Sequence, residues 1–148
     1  MKLDRYALRS DKDLMVYEFI SIGPKGNIPK LIKYSTTNLK DVYNLAFGDK
    51  NNNSSQIDDT IISNNGDSEK ILATVVASLY GFTEKHPEAW IHAIGSTKSR
   101  TRLYRMGITK YLSEIERDFE IYGLIQDEWH EFTLNTEYDG FLTKRKTD

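Results

Sequence analysis

The residues between Gly95 and Arg105 are the part of this sequence best suited to chemistry. Hydroxyl and basic side chains alternate through this run, which leads from a predicted strand into a predicted helix. Hydroxyls, Lys and Arg donors and free backbone amides at a helix start are the groups that a phosphate requires. Cations crowd a helix end that is already positive, so an anion would relieve their repulsion. We therefore expect an anion-binding site formed by Ser96, Thr97, Lys98, Arg100, Arg102, Tyr104 and Arg105.

The expected partner of this basic run is a nucleic acid or another phosphate-bearing ligand. The run is not a P-loop, because it lacks that motif's glycine spacing and its Gly-Lys-Ser/Thr ending. In a nucleic-acid complex, a base could stack on the ring of Tyr104. Helical spacing divides the side chains between two neighbouring faces, with Lys98, Arg102, Arg105 and Thr109 on one and Arg100 and Tyr104 on the other.

Three other interpretations of the basic run stay open. In the first it is a solvated helix face, and its arginines pair with acidic residues: Glu114, Glu116 or the Asp58-Asp59 pair. In the second the chain is a small, toxin-like enzyme acting on RNA or a phosphate-bearing substrate, with Ser96, Thr97 and His92 beside the arginines. In the third it is a protein-interaction domain whose basic helix meets an acidic partner.

The histidines and acidic residues do not predict a metal site or a cofactor. His86, His92 and His130 lack the mutual spacing of a metal site or a catalytic pair. Asp58, Asp59 and the asparagines near them match no calcium loop. The sequence contains no cysteine, which excludes disulfides and thiolate ligands. We therefore expect neither a bound metal nor a cofactor.

Two helices and a strand must position the basic run. Asn64-Asn65-Gly66 is typical of a turn, and Asp67 or Ser68 after it can cap a helix. Apolar residues at helical spacing continue from Ile71 to Phe82, and Pro87 bounds this first helix. Residues 89–94 then predict a short buried strand, and the basic run opens a second amphipathic helix that reaches Phe119.

The remaining apolar segments predict strands. They span residues 14–22 and 28–34, which form an antiparallel hairpin, and then 42–48, 57–63 and 128–134. A short helical turn opening at Asn38 is an alternative for the third strand, and residues 119–125 favour a helix end followed by a turn at Gly123. These elements predict an α+β fold in which two main helices pack on one face of a mostly antiparallel sheet.

Length and composition predict a single intracellular domain. The chain has 148 residues, enough for one core without disulfides or a structural metal. Its net charge of −2 gives no general attraction to nucleic acid or membrane, so any such site must arise locally. We see no signal peptide or membrane span and expect a cytoplasmic location. We also expect a mobile loop at about residues 49–56 and a frayed tail at about residues 143–148.

Several segments together resemble a known family. They are residues 57–59, residues 63–70, Gly95-Ser96-Thr97 and the run from Arg100 to Arg105. The chain resembles, over nearly its whole length, an uncharacterised bacterial family found mainly in Bacteroidetes-type genomes. The resemblance implies a bacterial, single-domain protein. Because the family is a domain of unknown function, it implies no activity.

Overall fold

The computed structural model describes residues 4–51, 54, 56–58, 64–95 and 97–147. Its strands are β1 (Arg9–Ser10), β2 (Val16–Gly23), β3 (Gly26–Thr36), β4 (Val42–Asp49), β5 (Trp90–Ala93), β6 (Phe119–Ile125), β7 (Glu128–Glu131) and β8 (Gly140–Arg145). Its helices are α1 (Ser68–Lys85), α2 (Lys98–Lys110) and α3 (Leu112–Asp118). The strand pairs are mixed and mostly antiparallel, which confirms the predicted α+β class. The packing of two helices on a common face stays a prediction.

The chain divides into two compact units, of which the first comprises residues 1–34 and 46–85. Here β1, β2, β3 and the second half of β4 lie side by side in that order. β2 and β3 form the predicted antiparallel hairpin, paired from Val16 with Lys33 to Gly23 with Gly26. α1 buries the predicted apolar stripe, and Phe82 stacks on Tyr34 with ring centroids 4.2 Å apart. The hairpin and the first helix are therefore confirmed.

The turn before α1 holds the helix start by side-chain hydrogen bonds. Asn65 is buried and donates to the Gly26 carbonyl at 2.9 Å, while its own oxygen accepts from the Lys25 amide at 2.7 Å. Asp67, one of the two predicted caps, directly precedes the helix, and its carbonyl accepts from the Ile71 amide at 3.0 Å, but no hydrogen bond joins its carboxylate to the first turn among the described residues. Its Oδ2 instead accepts from the hydroxyls of Tyr6 and Ser21, each at 2.5 Å. The helix begins at Ser68 as expected, but Asp67 ties its start to the hairpin and to the chain before β1.

The predicted loop at residues 49–56 and the predicted strand at residues 57–63 are only partly described. Asp49 is buried at the end of β4, and Lys50 forms an isolated antiparallel bridge with Ile57. The Asn51 amide donates to the Gln56 carbonyl at 2.8 Å. The loop therefore begins after Asp49. Residues 52, 53, 55 and 59–63, on which the rest of both predictions falls, lie outside the described residues.

The second unit comprises residues 35–45 and 86–148. Its strands lie in the order β4, β5, β8, β6, β7, with β4 contributing its first half. β4 and β5 are parallel, and the other neighbouring pairs are antiparallel. Ile91 of β5, Phe119 of β6 and Phe141 of β8 are buried, as is Ile115 of α3. Strand β5 is confirmed, and β7 confirms the start of the strand predicted at residues 128–134.

Two predictions at the end of the chain are wrong. Residues 119–125 form β6 and not a helix end, because α3 stops at Asp118 and Phe119 takes extended backbone angles, φ −134° and ψ 144°. Residues 143–145 are not frayed. They belong to β8, whose backbone pairs with β5 on one side and β6 on the other, and Lys146 donates to the Asp118 carbonyl at 2.8 Å. Pairing on both edges fixes a segment whose basic composition suggested a solvated tail.

The predicted second helix is divided. α2 ends at Lys110 and α3 begins at Leu112, with Tyr111 between them at φ −109° and ψ 18°. In the described part of the chain, no helix is both long enough and apolar enough to cross a membrane.

Candidate functional site

In the turn between β5 and α2, the backbone at Gly95 packs against the backbone of the first turn of α2. Thr97 is the N-cap of α2, with extended backbone angles and a side-chain oxygen that accepts from the Arg100 amide at 3.2 Å. The Gly95 amide donates to the Thr101 hydroxyl at 3.0 Å. A Cβ on Gly95 would lie 2.4 Å from the Thr101 amide nitrogen and 2.5 Å from the Arg100 Cβ. Only glycine fits, and the first turn of α2 is thereby held against the end of β5.

A cavity of about 540 Å³ opens beside this turn. One side, which we call the basic wall, consists of Lys98, Arg102 and Arg105 of α2. Two carboxylates, Glu137 and Asp139, form the acidic wall in the segment between β7 and β8. Six further residues complete the lining: Ile94, Gly95, Thr97, Ser99, Thr101 and Tyr138. The cavity therefore presents both signs of charge together with hydrogen-bonding groups.

The charges of the two walls do not neutralise each other. Within the part of the chain that the structure describes, no carboxylate lies within 4.0 Å of the charged nitrogens of Lys98, Arg102 or Arg105. Lys98 and Arg102 are exposed, and Arg105 donates to the Thr136 carbonyl at 3.4 Å. No acidic residue lies in the first turn of α2. Lys98 thus adds to the positive end of the helix dipole, and Arg102 and Arg105 follow on the next turns of α2.

A buried tyrosine lies between the two residues of the acidic wall and fixes their backbone. Tyr138 lies between Glu137 and Asp139, is 8% exposed, and accepts a hydrogen bond from the Thr133 amide at 2.9 Å. Its ring occupies the space over Gly123, where a Cβ would lie 2.2 Å from the ring. The Asp139 amide donates to the Leu124 carbonyl at 2.8 Å. The two carboxylates therefore flank a fixed point of the fold, although both are themselves exposed.

The structure divides the predicted site residues into two groups. Thr97, Lys98, Arg102 and Arg105 line the cavity together. Arg100 and Tyr104 are buried, at 8% and 7% exposed. The Tyr104 hydroxyl donates to the Leu45 carbonyl at 3.1 Å, so its ring belongs to the core and cannot receive a stacked base in this conformation. Ser96 lies outside the described residues.

The histidines do not contribute to this cavity. His92 does not line it. Its Nδ1 lies 2.9 Å from the Asn44 side-chain oxygen, and its ring meets Trp129 edge to face at 5.8 Å. Burial lowers the pKa of His92, which keeps the ring neutral near pH 7. The alternative that sets His92 beside the arginines gains no support from this position, in which Ile91 and Ala93 on either side of His92 take the buried positions of β5. Among the described residues no group of three or more His, Cys, Asp or Glu side chains could hold a metal.

Sequence reasoning did not identify the acidic wall. Residues 133–140 contain Asn, Asp, Gly and three Thr or Glu residues between two strands, a composition typical of a loop. That composition could have indicated a loop with two carboxylates. It could not place the loop beside α2, because the placement depends on β8 pairing with β5.

Comparison with known proteins gives a family and no activity. The sequence model of DUF6934, described as a family of unknown function, matches residues 2–146. No curated protein and no solved structure matches the chain.

Proposed function

The chain belongs to DUF6934, a family of unknown function, and we propose that it binds a small phosphate-bearing ligand in the cavity beside α2. The observation that carries this proposal is the basic wall, whose three cations lie along α2 from its first residue, Lys98, to Arg105 and have no carboxylate within 4.0 Å among the described residues. Charge-assisted hydrogen bonds to an oxyanion would satisfy these donors. They would also relieve the repulsion among the three side chains.

A compact ligand fits the cavity better than a long polyanion. The volume of about 540 Å³ falls within the range of small-molecule sites. Glu137 and Asp139 would repel an extended phosphate backbone, and the buried Tyr104 offers no stacking surface. The placement of His92 away from the cavity gives no support to an enzyme that uses it as a base. The proposed setting is a bacterial cytoplasm, which the absence of cysteine fits.

The test is calorimetric titration and thermal unfolding with inorganic phosphate, pyrophosphate and a short single-stranded RNA. Binding by pyrophosphate should raise the melting temperature by roughly 5–10 °C when its concentration is about 100 times Kd. Higher ionic strength should weaken binding, because Lys98 and Arg102 of the basic wall are exposed to solvent. The RNA should bind no more tightly than pyrophosphate, since only one compact site is involved.

The informative variant is Arg102→Gln, with Arg117→Gln as its matched control. Both side chains are exposed, and Arg117 of α3 contacts the Ser113 carbonyl of its own helix and does not line the cavity. Loss of a charge-assisted donor should weaken pyrophosphate binding about tenfold or more. The Arg117 variant should bind as the wild type does. Absence of binding by every probe, or equal affinities for both variants, would reject the proposed function.

A further inference from the structure

The two carboxylates of the acidic wall are not explained by the binding of a bare phosphate. A site built only for an anion gains nothing from two carboxylates, which repel the ligand that the basic wall attracts. Glu137 and Asp139 nevertheless line the same cavity as Lys98, Arg102 and Arg105. The backbone that carries both residues is fixed at the buried Tyr138 between them and at the Asp139 amide, which donates to the Leu124 carbonyl. The second part of the ligand should therefore match an acidic wall.

Resting on the proposed phosphate site, we propose that the ligand is a phosphate ester whose other end carries hydrogen-bond donors, either hydroxyl or ammonium groups. An ionised carboxylate only accepts hydrogen bonds, so its natural partners are such donors. A ligand of this class bridges the cavity, with its phosphate on the basic wall and its donors on Glu137 and Asp139. Sugar phosphates, nucleoside monophosphates and phosphorylated amino alcohols share this chemistry.

The arrangement of charges supports a bridging ligand. Arg105 reaches across to the backbone of the acidic segment, at the Thr136 carbonyl, and not to either carboxylate. The Asp139 side chain accepts from the Gln126 amide at 3.4 Å, and no described cation lies within 4.0 Å of Glu137 or Asp139. Opposite charges that line one cavity without pairing can each make a contact with a ligand placed between them. The volume of about 540 Å³ leaves room for more than a phosphate group.

Two matched phosphate esters separate this inference from simple anion binding. Glycerol 3-phosphate carries two hydroxyl donors, and propyl phosphate has the same chain length without them. Wild-type protein should bind glycerol 3-phosphate about tenfold more tightly than propyl phosphate, as measured by calorimetric titration. The double variant Glu137→Gln/Asp139→Asn should reduce this ratio to below about threefold, because charge-assisted bonds are roughly twice as strong as neutral ones.

The same double variant should not weaken the binding of inorganic phosphate. The affinity for phosphate should stay unchanged or rise, because the repulsion by the two carboxylates is removed. Glu116→Gln, an exposed change on α3 away from the cavity, should leave both affinities and their ratio at wild-type values. The melting temperature of each free variant verifies that it is folded.

The outcomes distinguish the two proposals. Phosphate binding with equal affinities for the two esters in the wild type, or a ratio that survives the double variant, overturns the donor-bearing class and leaves the phosphate site standing. Failure of inorganic phosphate, pyrophosphate and both esters to bind overturns the phosphate site and this inference together.

Discussion

The Lys30–Asp49 pair in the first unit allows a quantitative test of the fold. Lys30 of β3 and Asp49 of β4 form an ion pair, and their side chains are only 6% and 8% exposed. The variant Lys30→Met keeps most of the side-chain volume but leaves the Asp49 carboxylate in the interior without this cation. Removing one partner of a buried ion pair typically costs about 3–5 kcal/mol. We expect Lys30→Met to lower the free energy of unfolding by that amount, which is a large fraction of the total for a domain.

The matching double variant tests the reason for that loss. Replacing both residues, as Lys30→Met/Asp49→Leu, removes the desolvation cost of both charges and should bring stability back to within about 1–2 kcal/mol of the wild type. Urea unfolding followed by circular dichroism gives the free energies for a double-mutant cycle. A loss below about 1 kcal/mol for Lys30→Met would refute the reasoning, because removing one partner of a buried ion pair is expected to cost several times that amount. Additive losses in the double variant would refute it as well.

Two further substitutions have defined outcomes. Tyr17 is 4% exposed, and its hydroxyl is buried without a hydrogen-bond partner among the described residues, so Tyr17→Phe should raise the free energy of unfolding by about 1 kcal/mol in urea titrations. Burial raises the pKa of Tyr17 from 10.0 to about 12. The contribution of Tyr17 to the wild-type free energy of unfolding should therefore be fully present below pH 10 and be lost as pH rises through about 12, a loss that the variant lacks. Identical pH profiles for the two proteins would contradict this. Thr97→Ala removes the side-chain cap of α2 and should lower the free energy of unfolding by about 1 kcal/mol in thermal unfolding. Thr97→Ser keeps the hydroxyl and should lower it by less. Equal losses for the two variants would exclude capping by the hydroxyl.

The elements that were predicted correctly are those specified by local sequence. The β2–β3 hairpin follows from two apolar runs around Gly23-Pro24-Lys25-Gly26, and α1 from an apolar stripe that begins after a turn. The grouping of Lys98, Arg102 and Arg105 follows from helical spacing alone. In each case the residues that decide the structure are within a few turns of one another, so their pattern is visible in the sequence.

The errors arise where distant segments decide the structure. Lys144-Arg145-Lys146 has the composition of a solvated tail, but β8 lies between β5 and β6, and pairing on both edges outweighs local preference. The ring of Tyr104 was expected to be available to a stacked base, yet it is buried and its hydroxyl donates to the Leu45 carbonyl. The acidic wall was missed for the same reason, since β5–β8 pairing brings it to α2.

Burial gives the same residue types opposite roles in this protein. In the interior of the first unit, Lys30 and Asp49 must pair, because an unpaired charge there costs several kcal/mol. At the cavity of the second unit Arg102 and Glu137 are exposed, and an exposed ion pair is worth only about 0–1 kcal/mol. The fold therefore loses little stability by leaving Arg102 and Glu137 without an ion-pair partner among the described residues. Their charges stay free for a ligand that excludes water from between them, where electrostatic contacts become stronger.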